Sequence, residues 1–183
     1  KINIIVRNLK KNKVDLQFIS SPENVAWLLN IRGYDSPFSP IPNCYMVLDN
    51  KKKLFLFCNL NNLNKKTKNA LKHINIIDIN LISLFFLKLK NKKIQIDRNT
   101  CSFYFKNILK KNNYIFEFQD PTYFLKSIKN KIEINNTIKS HVFDGAALTK
   151  FIFWIKNNFM IKKITEISAQ RKLLKFRKKN KNF

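Results

Sequence analysis

Glycine is almost missing from this chain. Its two glycines, Gly33 and Gly145, are too few and too far apart for a Walker loop, a G-x-G-x-x-G turn or a G-x-S-x-G nucleophile elbow, all of which need clustered glycines. Histidine is as scarce. His73 and His141 have no second His, Cys or carboxylate at a metal-ligand spacing such as H-E-x-x-H. The three cysteines, Cys44, Cys58 and Cys101, form no C-x-x-C pair. A zinc ribbon or a disulfide framework is therefore not expected, and buried free thiols in a reducing cytosol are. Eleven carboxylates are scattered, with no close acid pair. His141 and Asp144 share a helix face, a spacing that suits a local hydrogen bond better than a catalytic couple. The longest apolar run, around Leu81–Leu87, is too short to span a bilayer, so no membrane association is expected. No basic start leads into an apolar stretch and a cleavage site, so no secretory signal is expected either. The chain opens on Lys1 and not on Met, as a processed start or a piece of something longer would.

What is present in excess is positive charge. The formal net charge is +25, from 36 basic and 11 acidic residues. Nucleic acid is the first partner such a balance suggests, through phosphate neutralisation and counterion release. The residue types argue against it. Five of the 36 basic residues are arginine (Arg7, Arg32, Arg98, Arg171, Arg177) and the rest are lysine, whereas base readout and bidentate phosphate contacts favour arginine. The lysines are dispersed among many Asn, Ile and Phe, residues whose codons are rich in A and T. Genome composition accounts for the charge, and no nucleic-acid partner is expected. Aromatic residues follow core periodicities and build no basic stacking platform.

An apolar fraction of 45% over 183 residues allows a buried core. The pattern reads as strands alternating with helices. DLQFIS is a strand, and Ser21-Pro22 opens a helix with Ser21 as N-cap and Pro22 in the first turn. That helix carries Val25, Leu28 and Leu29 and ends near Asn30. A breaker-rich loop, RGYDSPFSPIPN, precedes two strands, CYMVLD and KLFLFC, joined as a hairpin. Helices near 64–72, 81–89 and 102–111 alternate with strands INIIDI, KIQID and YIFEF. This alternation predicts an α/β layer structure with a largely parallel, mixed sheet. Beyond Pro121 the periodicity is helical. Ile134, Ile138, Val142, Leu148, Phe151, Ile152 and Ile155 mark a long helix with a slip near Gly145, and Thr165 caps a last one. The expected domains are 1–121, α/β, and 122–183, helical.

One stretch departs from this vocabulary. WLLNIRGYD, residues 27–35, gathers one of the two tryptophans and one of the two glycines. SSPENVAWLLNIRGYDSPFSPIPNCYMVLDNKKKLFLF resembles the middle domain of the aminopeptidase P (Xaa-Pro aminopeptidase) family, in which D/E-x-[IV]-A-W-L-x-N-[IL]-R-G-x-D precedes a proline-containing loop and a strand pair. Ala26, Trp27, Leu28, Asn30, Arg32, Gly33 and Asp35 match, and Asn24 stands near the acidic position. A second anchor, FLKSIKNKIEINNTIKSHVFDGAALTKFIFWI, resembles the family's K-x-x-K-N…E…H-x-x-D-G-A-A-L…W segment through Lys126, Lys129, Asn130, Glu133, His141, Asp144, Gly145, Ala146, Ala147, Leu148 and Trp154. ITEISAQRKLLKFRKKNKNF is similar to the T-E-x-x-A…L-x-x-F-R stretch that follows.

The resemblance implies a creatinase N-terminal-like α/β domain with a mixed sheet flanked by helices, followed by the first helices of a "pita-bread" metallopeptidase domain. It implies a cytoplasmic enzyme, a homodimer when complete, that removes the residue before a penultimate proline using two divalent metal ions, usually manganese. The metals are held by two Asp, one His and two Glu, all downstream of Phe183. Proline-containing peptides are the implied partners, and no catalytic or metal residue is expected within this segment, which alone should be inactive. Trp27, Arg32, Gly33, Asp35, His141 and Asp144 remain as a cleft or structural motif. Gly33 is expected to supply backbone freedom and Trp27 to fill the helix–sheet core. Arg32 and Asp35 are expected to pair with each other or to bond the loop backbone. A non-catalytic interaction module and a basic nucleic-acid binder are the alternatives from other classes.

Overall fold

The computed structural model describes residues 1–161 and 163–180. The chain divides into two compact units, one of Lys1–Ser127 and one from Ile128 onward.

The first unit opens with α1 (Ile2–Lys11), β1 (Leu16–Ile19), α2 (Pro22–Leu29), β2 (Cys44–Asp49), β3 (Leu54–Cys58), α3 (Lys65–Ala70) and β4 (Asn75–Asp78). It continues with α4 (Ile82–Lys88), β5 (Lys93–Ile96), α5 (Phe103–Lys110), β6 (Tyr114–Glu117) and α6 (Thr122–Ser127). The strands form one sheet in the order β4-β3-β2-β1-β5-β6. β1 lies antiparallel to β2 and β2 to β3, while β1–β5, β3–β4 and β5–β6 are parallel. The mixed α/β sheet is the one that alternation predicts. Helix α1 is not among the sequence expectations, although Ile5, Val6 and Leu9 fall at helical spacing and are the residues it buries.

Both faces of the sheet are covered, and the period-2 alternation of the strands sorts their side chains between them. Met46, Leu48, Leu54 and Leu56 join Ile5, Leu9, Val25 and Leu28 on one face. Val47, Phe57, Phe18, Ile94 and Ile96 join Ile82, Phe86 and Leu109 of α4 and α5 on the other. Phe18 meets Phe86 at 4.9 Å and Phe105 at 5.6 Å between ring centroids, both edge to face. Such geometry adds about 0.5–1.5 kcal/mol per pair to the area term.

The start of α2 differs from the expected cap. Ser21 occupies the N-cap position and Pro22 the first turn, but the Ser21 side chain makes no cap bond and its buried hydroxyl has no partner. The Asn24 amide turns instead to the Ser21 carbonyl at 3.1 Å, which also accepts the Val25 amide at 3.2 Å as the first regular bond of the helix. The helix closes as Asn30 enters the left-handed region (φ 54°, ψ 42°), which Asn tolerates better than most side chains.

In the second unit, α7 (Lys131–Asn158) is held at its start by a reciprocal capping box between Asn130 and Glu133. It runs unbroken through Gly145, where the sequence pattern slips. α8 (Glu166–Arg177) starts on a Thr165 cap. The two helices are joined by Arg177, whose guanidinium donates to both Asp144 carboxylate oxygens at 2.6 and 3.0 Å. Among the described residues, no helix is long and apolar enough to cross a membrane.

Candidate functional site

The residues after α2 turn away from the sheet and back to it, and a cavity of about 330 Å³ opens beneath them. Its walls include Arg32, Gly33, Asp35 and Pro42 from the loop, Cys44 and Cys58 from the strand ends, and Asn62 from the turn after β3. Asp35 holds this arrangement together. One carboxylate oxygen accepts the Asn43 backbone amide at 2.8 Å and the other accepts the Asn62 side-chain amide at 2.6 Å. The loop is thereby tied to the start of β2 and to the segment beyond β3. Arg32 does not pair with Asp35. It is exposed, and its guanidinium donates to the Ile31 carbonyl at 2.8 Å. Of the two roles expected for Arg32 and Asp35, bonding of the loop backbone is the one found.

Gly33 is required for clearance and not for an unusual backbone angle. Its φ is not positive, and its amide donates to the Pro40 carbonyl at 3.1 Å. A Cβ built there would stand 2.6 Å from Pro42 Cα and 2.7 Å from Pro42 Cβ, a contact no side chain can make without moving the chain. Trp27 is half-buried against the core cluster of the α1–α2 face. Its ring is covered by the Lys1 ammonium, 4.0 Å from the ring centroid, which also donates to the Trp27 carbonyl.

Behind α2 lies a buried polar network of which the family motifs touch Asn24 and Lys126 but not the carboxylate at its centre. Asp120, 3% exposed, accepts from Gln17 Nε2 at 3.0 Å, Asn24 Nδ2 at 2.7 Å and the Thr122 amide at 2.9 Å. Its own amide donates to Asp97 at 2.8 Å. Lys126 of α6 donates to Asn24 Oδ1 at 2.7 Å. The network joins β1, α2, the end of β5 and α6. Asp120-Pro121 reads in sequence as a boundary, and no local pattern announces that its carboxylate turns inward.

The second unit places the other two residues. His141 is exposed on α7. Asp144 is bonded to Arg177 and not to His141. The Arg177 hydrogen bond, with lesser help from its charge and that of His141, holds the Asp144 carboxyl below the usual carboxylate range. The implied two-metal centre does not fit the side chains of this segment. Glu133 closes the α7 capping box, Asp144 is engaged by arginine, and Glu166 sits exposed at the start of α8. Among the described residues no group of three or more His, Cys, Asp or Glu side chains could hold a metal ion.

Residues 1–133 match the creatinase/prolidase N-terminal domain family. The chain belongs to that family. It is 34% identical to Xaa-Pro aminopeptidase 1 of Dictyostelium discoideum over an alignment 193 positions long, gaps included, that covers all of this chain and 30% of the relative. It is 29% identical to the Xaa-Pro aminopeptidase ApepP of Drosophila melanogaster, covering 97% of this chain and 30% of that one. The chain thus spans about 30% of the length of these curated relatives. Among solved structures, it superposes over its whole length on 31% of an X-prolyl aminopeptidase from Caenorhabditis elegans, described as a cytosolic enzyme with a di-nuclear active site, with a TM-score of 0.87 at 21% identity. A prolidase from Pyrococcus furiosus superposes with a TM-score of 0.62 at 19% identity, over 95% of this chain and 48% of its own. At these identities the two structures establish the creatinase-type fold.

Proposed function

We propose that this chain is a segment of a cytoplasmic Xaa-Pro metalloaminopeptidase, in which residues 1–121 form the middle α/β domain and residues 122–183 the opening helices of the catalytic domain. The observation that carries the reading is the alignment of the whole chain with one part of a Dictyostelium discoideum relative named as an Xaa-Pro aminopeptidase. It runs across the change from α/β to helical structure, so both units belong to the match. The complete enzyme releases the N-terminal residue from peptides with proline in second position and acts as a homodimer. Two divalent metal ions, manganese by family, would supply Lewis-acid chemistry to the complete enzyme. Their ligands lie in sequence beyond this chain, whose own residues build and frame the scaffold.

Within that enzyme, Gly33 and Asp35 fix the loop, Trp27 seats α2, and Asp144 fastens α8 to α7 beside His141. Arg32 has a different part. Its exposure and its single bond to the neighbouring carbonyl leave the guanidinium available to peptide at the cavity rim. Arg32→Ala in the full-length enzyme is expected to keep the folded yield and raise KM for an Xaa-Pro peptide. An unchanged KM would assign Arg32 to the loop alone.

The reading is tested by assaying residues 1–183 and the full-length protein together on an Xaa-Pro peptide with added manganese. Residue release by the full-length protein alone is expected, and metal-dependent release by residues 1–183 would overturn the assignment of the metal site. A second reading, a non-catalytic interaction module, is favoured by the apolar surface of α7, where Ile132, Val142 and Phe153 are each at least 66% exposed. It predicts that the native polypeptide carries no metal-ligand set.

A further inference from the structure

The cavity under the Arg32–Asn43 loop has two nucleophilic side chains in its wall that the proposed function does not use. Cys44 begins β2 and Cys58 ends β3, and they are register partners. Their spacing follows from the hairpin. The Asp49 amide donates to the Lys53 carbonyl at 3.0 Å, which makes 49–53 a hydrogen-bonded pair. Alternation along the ladder then makes 47–55 and 45–57 hydrogen-bonded, and 48–54, 46–56 and 44–58 not. Partners at a non-hydrogen-bonded position stand about 4.5 Å apart at Cα with their side chains on one face. That separation lies within the span of roughly 4.4–6.8 Å that a disulfide bridges. Both thiols are free, and both point to the face shared with Met46, Leu48 and Leu56. Cys101 packs with the opposite face and cannot compete within the chain.

We propose that Cys44 and Cys58 are a redox modification site, closed by a peroxide into a cross-strand disulfide at the wall of this cavity. Cys58, 7% exposed against 0% for Cys44, is the thiol reached first. Its thiolate, having released a proton to solvent, attacks one peroxide oxygen, the O–O bond breaks, and hydroxide leaves and is protonated to water. The resulting sulfenic acid is attacked by the Cys44 sulfur, which gives up its proton as a second water departs. Two thiols are oxidised and one hydrogen peroxide is reduced to two waters. The bond ties together two strand ends, one next to Asn43 and the other leading into the turn that carries Asn62, the two partners of Asp35, and so fixes the loop over the cavity. The site is independent of the peptidase reading.

Its chemistry carries a signature. Burial pushes the Cys44 thiol up to about 12, with the Cys58 and Asp35 charges adding to it, and the Cys58 thiol up to about 11, with Asp78 and Asp35 adding. Reaction through the thiolate is therefore slow at neutral pH and quickens about tenfold per pH unit up to about pH 10.

The test treats the full-length protein with hydrogen peroxide at pH 7, 8 and 9, denatures it in an alkylating agent, and maps unreduced peptides by mass. A Cys44–Cys58 cross-linked pair, lighter by two hydrogen atoms than the two reduced peptides, is expected to form at each pH with that tenfold rise in rate. Cys58→Ser abolishes it, and Cys44→Ser leaves Cys58 as a sulfenic or sulfinic acid. Full alkylation of Cys44 and Cys58 at pH 9 would overturn the proposal, as would linkage of either to Cys101. The wild-type map decides the matter even where a variant fails to fold.

Discussion

The two glycines do opposite things, and substitution at each separates the reasons. At Gly33 an added Cβ collides with Pro42, so Gly33→Ala forces the loop and its tie to Pro40 apart. A loss of about 1–3 kcal/mol, in the range of overpacking, is expected from the urea midpoint. At Gly145, inside α7, an added Cβ meets nothing within 4 Å, and Gly145→Ala is expected to gain about 0.5–1 kcal/mol in helix stability. The sequence makes Gly33 conspicuous through its scarcity and its neighbours, but not the cause, because the clearance depends on Pro42, a residue of the returning loop. The same holds for Asp35. Its place in the motif is legible, but of its partners Asn43 closes the same loop and Asn62 lies beyond the following hairpin, and no spacing rule connects them.

At the scale of the elements, the buried carboxylate of Asp120 decides whether α2 and α6 stay on the sheet. Asp120→Ala would strand the Gln17 and Asn24 amide groups and the Thr122 backbone amide. At roughly 1–3 kcal/mol for each buried donor left unpaired, a loss of several kcal/mol is expected in denaturant unfolding. The β2–β3 hairpin makes a different contribution. Both of its cysteine thiols have raised pKa values, so the folded state holds protons that the unfolded state releases at lower pH. That stability is fully present below the ordinary thiol pKa near 9.0 and is lost as pH rises through about 11 to 12. The melting temperature is expected to fall over this window, and less steeply in Cys44→Ala. Strands, helices and hairpin were readable because their apolar residues recur at periods of 2 and 3.6. α1 was also periodic, but its polar positions, Asn3, Arg7, Asn8, Lys10 and Lys11, resemble the surrounding polar sequence. The inward turn of Asp120 was not readable, because nothing local marks a carboxylate whose partners lie about a hundred residues away in sequence.

For the whole molecule, the scarcity of rare residues made the family visible. In a chain composed largely of Lys, Asn, Ile and Phe, the matches at Trp27, Arg32, Gly33 and Asp35, and again at His141, Asp144 and Trp154, cannot come from composition. The charge of +25 is the opposite case, a large number that names no partner. We have proposed that this polypeptide works as part of an Xaa-Pro aminopeptidase. The proposed role is tested most directly by capturing the native protein from its source with an antibody to this segment and measuring residue release from an Xaa-Pro peptide, with and without a metal chelator. Release of the residue preceding proline, abolished by the chelator and restored by manganese, is the predicted result. A captured polypeptide of 21.8 kDa that releases nothing, with or without metal, would contradict it.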